Sequence, residues 1–213
     1  MTTLFGAPMT ESLPLSGRRI ALLAGPLYED IEVHYPKIRL EEEGAEVIVA
    51  GYDESAYKGI FWSLALAAKG RAEIPGFDGR VYTGVHGMPI AADTIVEDLD
   101  PESIDAIVIP GGYAADHLRR SAAVIDFCKT IAESGRPVAA ICHGPWVLAT
   151  AELLKGRRAT GHFVIRPDVE GAGATWVDEA CVVDGPIITS RFPHDLGHFC
   201  RAITAMVVEQ NPI

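Results

Sequence analysis

Arg19-Ile20-Ala21-Leu22-Leu23-Ala24 is a short apolar run bounded by Gly17 and Gly25, the pattern of a strand buried on both faces. From Ile31 to Glu43 the apolar residues Ile31, Tyr35, Ile38 and Leu40 recur at helical spacing, and Gly44 follows as a helix stop. Pro36 falls inside this stretch and is expected to bend the helix or mark its first turns. Glu46-Val47-Ile48-Val49-Ala50 then reads as a second strand. Strand, helix and strand in so short a span describe a βαβ unit with a parallel pair.

The same alternation continues along the chain. Ile104 to Ile109 is a buried strand ended by Pro110-Gly111-Gly112, and Ala122 to Ser134 a helix closed by Gly135. Pro137 to Ile141 is a strand, and Pro145 to Leu154 a helix. Short strands are expected at Arg158 to Thr160, Cys181 to Asp184 and Ile187 to Ser190, before a last helix from His194 to Glu209. Val81 to Ala92, with Gly84, Gly87 and Pro89, suits a hairpin at a sheet edge. The fold class is therefore α/β: a doubly wound, mainly parallel sheet with helices on both faces. Sites in such sheets lie beyond the carboxyl ends of the strands, which here gathers the turns after Ala24, Ile109 and Ile141.

Composition narrows the function. The chain has 213 residues, enough for one large domain, and 48% hydrophobic against 22% charged residues is a globular balance. A net charge of −11 without a basic run repels phosphate backbones and anionic lipid, so neither nucleic acid nor membrane is expected as a partner. No apolar run approaches the length of a membrane span, and Met1 to Gly17 lacks the pattern of a secretory signal. Residues 1–17 are read as a flexible arm, and 18–213 as a single domain with an insertion at about 53–80. Four scattered cysteines without a CxxC suit reduced thiols in a cytoplasmic protein.

One cysteine stands apart. Ala139-Ala140-Ile141-Cys142-His143-Gly144-Pro145 runs a buried strand into Cys142, a tight turn at Gly144 and a helix opened by Pro145. This is the context of a nucleophile elbow with cysteine in place of serine. Unpaired N–H groups at the helix start are expected to lower the thiol pKa. Cys128, Cys181 and Cys200 fall within regular elements and read as structural.

Together with Tyr28-Glu29-Asp30-Ile31-Glu32, Tyr35-Pro36, Pro110-Gly111-Gly112, Leu154 to Arg158 and Ser190-Arg191, this motif resembles the ThiJ/PfpI family over roughly Arg19 to Val208. The resemblance implies a flavodoxin-like fold, cytosolic homo-oligomers (a dimer or a trimer of dimers) and one of several activities. These are a glyoxalase III or deglycase acting on reactive carbonyls without a cofactor, an intracellular cysteine peptidase or amidase, and a non-enzymatic redox sensor or chaperone. Substrates would be a small carbonyl compound or a modified protein or peptide. Glu29 matches the family's acid beside the cysteine, while Asp30 and Glu32 are read as solvent-facing. His143 matches the histidine of the peptidase branch, whose acid comes from a neighbouring subunit and corresponds to Asp116, one methylene shorter. His162 matches a position where some relatives carry histidine. The backbone N–H groups of Gly112 and His143 form a candidate oxyanion hole.

Other motifs carry less. His194 and His198 have a metal-compatible spacing without a third ligand, and an exposed helical face explains them; no metal is expected. Gly84-Val85-His86-Gly87 lacks phosphate-loop spacing, so no nucleotide cofactor is expected, and His86 reads as a turn residue. Segment 53–80, longer than in compact relatives and carrying Tyr57, Phe61, Trp62 and Phe77, suits a subunit contact, a lid or a surface helix.

Overall fold

The computed structural model describes residues 3–4, 7–8, 13–53 and 81–210. The insertion at about 53–80, with its four aromatic residues, lies almost wholly outside these, as does most of the arm at 1–17. The end of the arm is already packed. Leu15 is fully buried and its N–H donates to Glu43 O at 2.8 Å.

A seven-stranded sheet forms the centre of the molecule. Its strands in chain order are β1 (Arg19–Leu23), β2 (Glu46–Gly51), β3 (Thr94–Ile95), β4 (Ala106–Ile109), β5 (Val138–Ile141), β6 (Cys181–Asp184) and β7 (Ile187–Ser190). Across the sheet they run β6-β7-β5-β4-β1-β2-β3, all parallel except the edge strand β6, which pairs antiparallel with β7. The five longer parallel strands thus follow the 2-1-3-4-5 order of flavodoxin-like folds, and the order reverses between β1 and β4. Every residue of β4 and β5 is buried. Since alternate residues point to opposite faces, helices must cover both sides.

Among the described residues the α-helices are α1 (Asp30–Glu42), α2 (Ala114–Leu118), α3 (Ala122–Glu133), α4 (Pro145–Thr150), α5 (Arg166–Gly171) and α6 (Leu196–Gln210). α1 packs with α6, whereas α2 and α3 pack on α4. Ser121 caps α3 by accepting from the Val124 N–H. The short helices α2 and α5 lack enough turns to show a period, which is why they escape a sequence reading.

Three expectations change. Ile31 and Ile38, assigned by spacing to the core face of α1, are exposed; Leu40 is buried as its spacing requires, and Asp30, Glu32, Val33 and Pro36 are buried with it. Pro36 sits mid-helix, where it withholds a donor from the Glu32 carbonyl. The hairpin formed by Val81–Thr83 and Pro89–Ala91 stands apart from the main sheet, whose edge beside β2 is β3. It is held by the loop after β1, through Leu27 N–H to Thr83 O at 3.0 Å and Val85 N–H to Tyr28 O at 2.9 Å. Helix α4 stops at Thr150 rather than Leu154. Among the described residues no helix is long and apolar enough to cross a membrane.

Candidate active site

Three loops meet beyond the carboxyl ends of β1, β4 and β5. Tyr28 and Gly112 form an isolated antiparallel bridge, and Tyr113 N–H donates to Leu27 O at 2.9 Å. Beside them a cavity of about 760 Å³ opens, lined by Glu29, Glu32, Cys142, His143, Trp146 and His162 among others.

Cys142 sits at the floor with φ +59°, a left-handed conformation rare for a side-chain-bearing residue. The turn is enforced from both sides. Gly144 N–H donates to Ile141 O at 2.7 Å, and a Cβ on Gly144 would stand 2.7 Å from Ile109 O. The elbow expected from the sequence is therefore present. Its sulfur accepts from the backbone N–H groups of Gly112 and His143, which favour a thiolate. The net direction is nevertheless opposite to the expected one. Burial first, and then the charge of Glu32, push the thiol well above its ordinary value. Helix α4, six residues long, is too short for its dipole to reverse this.

The carboxyl against the sulfur belongs to Glu32, not Glu29. Glu32 was expected to face solvent; it is fully buried, and one oxygen accepts from Gly111 N–H at 2.7 Å. Gly111 fits between the two side chains, since a Cβ there would lie 2.6 Å from Glu32 Oε2 and 2.7 Å from Cys142 Cβ. Burial raises the Glu32 pKa to about 8; the Gly111 N–H opposes the shift and the Glu29 charge adds to it. Its other oxygen, Oε1, is buried without a hydrogen-bond partner, and the Cys142 side chain is among the groups acting on this carboxyl. Burial therefore keeps both groups protonated at neutral pH: the Glu32 carboxyl stays mostly in its acid form and Cys142 stays a thiol.

His143 Nδ1 lies 3.2 Å from Cys142 Sγ. The His143 ring stacks on His162 at a centroid distance of 4.9 Å, and His162 N–H donates to Cys142 O at 2.8 Å. Burial lowers the pKa of both imidazoles, and for His143 the neighbouring His162 charge adds to the effect, so both are neutral at pH 7. His162 Nδ1 accepts weakly from Val164 N–H at 3.4 Å, leaving Nε2 as its protonated nitrogen.

Asp116 is not brought to this group. It lies on α2 outside the cavity lining and pairs with Arg120. Glu29 does line the cavity, but its Oε1 lies 3.3 Å from His86 Nε2. His194 also lines the cavity from a turn before α6, while His198 is exposed on the helix itself. Among the described residues no group of three His, Cys, Asp or Glu side chains could hold a metal ion.

Glu32, His86 and Trp146 are thus the residues missed by the sequence reading. For Glu32 a signal existed, since it falls one helical turn after Glu29. Only the rotation of α1 decides which of the two reaches the cysteine.

The DJ-1/PfpI family profile matches residues 18–206. A deglycase of Thermococcus kodakarensis is 35% identical over 189 residues, covering 89% of this chain and 99% of its own. A Bacillus subtilis protein named provisionally as a cysteine protease is 37% identical over 184 residues, covering 86% of this chain and 95% of its own. A two-domain crystal structure from Anabaena variabilis, with DJ-1/ThiJ/PfpI-like and ferritin-like domains, superposes with TM-score 0.75 at 36% identity. That match covers 88% of this chain and 47% of the longer one.

Proposed function

The chain belongs to the DJ-1/PfpI family, and on that premise we propose that it is a cofactor-independent enzyme acting on reactive carbonyls, of the glyoxalase III or deglycase type, with Cys142 as nucleophile. The observation that carries this reading is the fully buried Glu32 carboxyl beside the sulfur, its pKa raised to about 8. Such a group donates and removes protons near neutral pH, as general acid–base chemistry at carbon requires.

As the Cys142 thiol attacks, its proton passes to His143 Nδ1, 3.2 Å away, and two backbone N–H groups hold the forming thiolate. It adds to the aldehyde carbon of a 2-oxoaldehyde while Glu32 protonates the oxygen, giving a hemithioacetal. The Glu32 carboxylate then takes the proton from that same carbon and returns it to the adjacent one, as the hydroxyl proton passes between the two oxygens. The product is a thioester of a 2-hydroxy acid. Water cleaves the carbon–sulfur bond; the sulfur takes its proton back from His143, the proton of the new acid restores Glu32, and the 2-hydroxy acid leaves as its carboxylate. His143 and His162, neutral and stacked above the sulfur, are suited to orient the substrate oxygens.

The test is lactate formation from methylglyoxal without glutathione. Retention of that activity in Cys142→Ala would sink the reading. A peptidase reading draws support from the B. subtilis relative's name, and would need Asp116 from a neighbouring copy, because within one chain it is tied to Arg120. Assembly into homo-oligomers is part of this proposal, supported by exposed Tyr113 at the cavity and by exposed Phe163 and Val164, which follow His162 in the chain.

A further inference from the structure

The loop Gly84 to Met88 is held far more tightly than a surface turn needs. The buried Asp30 carboxylate accepts from His86 N–H at 2.8 Å with one oxygen and from Met88 N–H at 2.7 Å with the other. Tyr28, fully buried, donates its hydroxyl to Met88 O and accepts Val85 N–H on its carbonyl. Gly84 N–H donates to Met88 O at 2.9 Å. No other residue fits at position 84, since a Cβ there would meet the Asp30 carboxylate at 2.3 Å. Among the exposed side chains this loop presents, Val85, His86 and Met88, only His86 is titratable. The His86 imidazole, 69% exposed, lines the same cavity as the elbow, with its Nε2 3.3 Å from Glu29 Oε1.

A carboxylate on Nε2 fixes the proton on that nitrogen and leaves Nδ1 as the basic one, the arrangement that makes a histidine a general base. Position separates its task from that of Glu32. Glu32 is inaccessible to solvent, whereas the last step of the reaction needs a water drawn from outside. We propose that Glu29 and His86 form a second acid–base pair, with His86 as the catalytic base that activates the water for thioester hydrolysis and Glu29 as its positioning residue. The proposal rests on the glyoxalase reading above and adds a division of labour to it.

In this step the water oxygen bonds to the thioester carbon as one of its protons passes to His86 Nδ1. The carbon–sulfur bond breaks with its electron pair on Cys142, and the Glu29 carboxylate stabilises the imidazolium until it releases its proton to solvent. The proton of the new carboxylic acid restores Glu32. Asp30 acts through the loop it clamps and touches no reacting atom.

The experiment compares wild type, His86→Ala and Glu29→Gln on methylglyoxal, with acid quench, intact mass and hydroxylamine trapping of the acyl-enzyme. His86 is exposed, so its loss removes no core packing. Lactate turnover is expected to fall about a hundredfold in His86→Ala, while an adduct of one substrate mass accumulates on Cys142 and yields the hydroxamate of lactic acid. Added imidazole should restore turnover in His86→Ala by clearing that adduct. Glu29→Gln should accumulate it more weakly, without imidazole rescue. An active wild type with an equally active His86→Ala overturns this proposal alone. So does a slow variant that shows neither adduct nor rescue. A wild type that makes no lactate, whether or not Cys142 is replaced, overturns the glyoxalase reading and the hydrolytic role with it.

Discussion

Replacing Glu32 by glutamine should make the protein more stable at pH 8 and remove much of its pH dependence. An unfolded glutamate ionises near 4.5, whereas burial among β4, β5 and α1 raises Glu32 to about 8. Between those values the folded protein binds a proton that the unfolded chain has released. Stability therefore falls as pH rises, by 1.36 kcal/mol per unit for a single group. The contribution is full below about pH 4.5 and lost as pH climbs through 8. Between pH 5 and pH 8 the loss amounts to about 3.5 kcal/mol, a large share of a typical domain's stability. Glutamine imitates the protonated form, since its carbonyl can still accept from Gly111 N–H. Urea unfolding at half-unit pH steps, wild type against Glu32→Gln, gives the difference directly. Histidines and other carboxylates titrate in both proteins and cancel. Parallel curves would refute the assignment of a protonated buried carboxyl, and with it Glu32 as the acid of the addition step. The same variant should lose carbonyl turnover, because an amide can neither give nor take the proton.

Other changes test the scaffold of the site. Cys142 holds φ +59°, so Cys142→Gly should be about 1 kcal/mol more stable than Cys142→Ala, read as a shift in melting temperature. Gly112→Ala should destabilise by about 1–3 kcal/mol, since position 112 has φ +67° and a Cβ would lie 2.5 Å from Glu29 N; thiol alkylation by iodoacetamide should change with it, because the Gly112 N–H no longer meets the sulfur. Asp30→Ala strips two loop N–H groups of a charged acceptor and should cost about 3 kcal/mol. Hydrogen exchange should show the resulting loosening concentrated at residues 84–88.

Much of the architecture was legible in the chain itself. Apolar runs with no polar alternation, such as Ala106–Ile109 and Val138–Ile141, can only be strands covered on both faces, and the helical stretches between them demand parallel crossovers. The elbow was equally local, because strand, cysteine, Gly144 and Pro145 are consecutive and their steric needs are met within a few residues. Which carboxylate reaches the sulfur was not local. Glu29, Asp30 and Glu32 crowd the start of one helix, and their fates diverge by its rotation against β4 and the Pro110-Gly111-Gly112 turn: one lining the cavity, one clamping the Gly84 loop, one buried beside Cys142. The direction of the thiol shift likewise depended on how deeply the turn is buried. A sequence pattern records the period of burial along one element, whereas desolvation and charge pairing come from residues far apart in the chain. Only the packed structure brings those together.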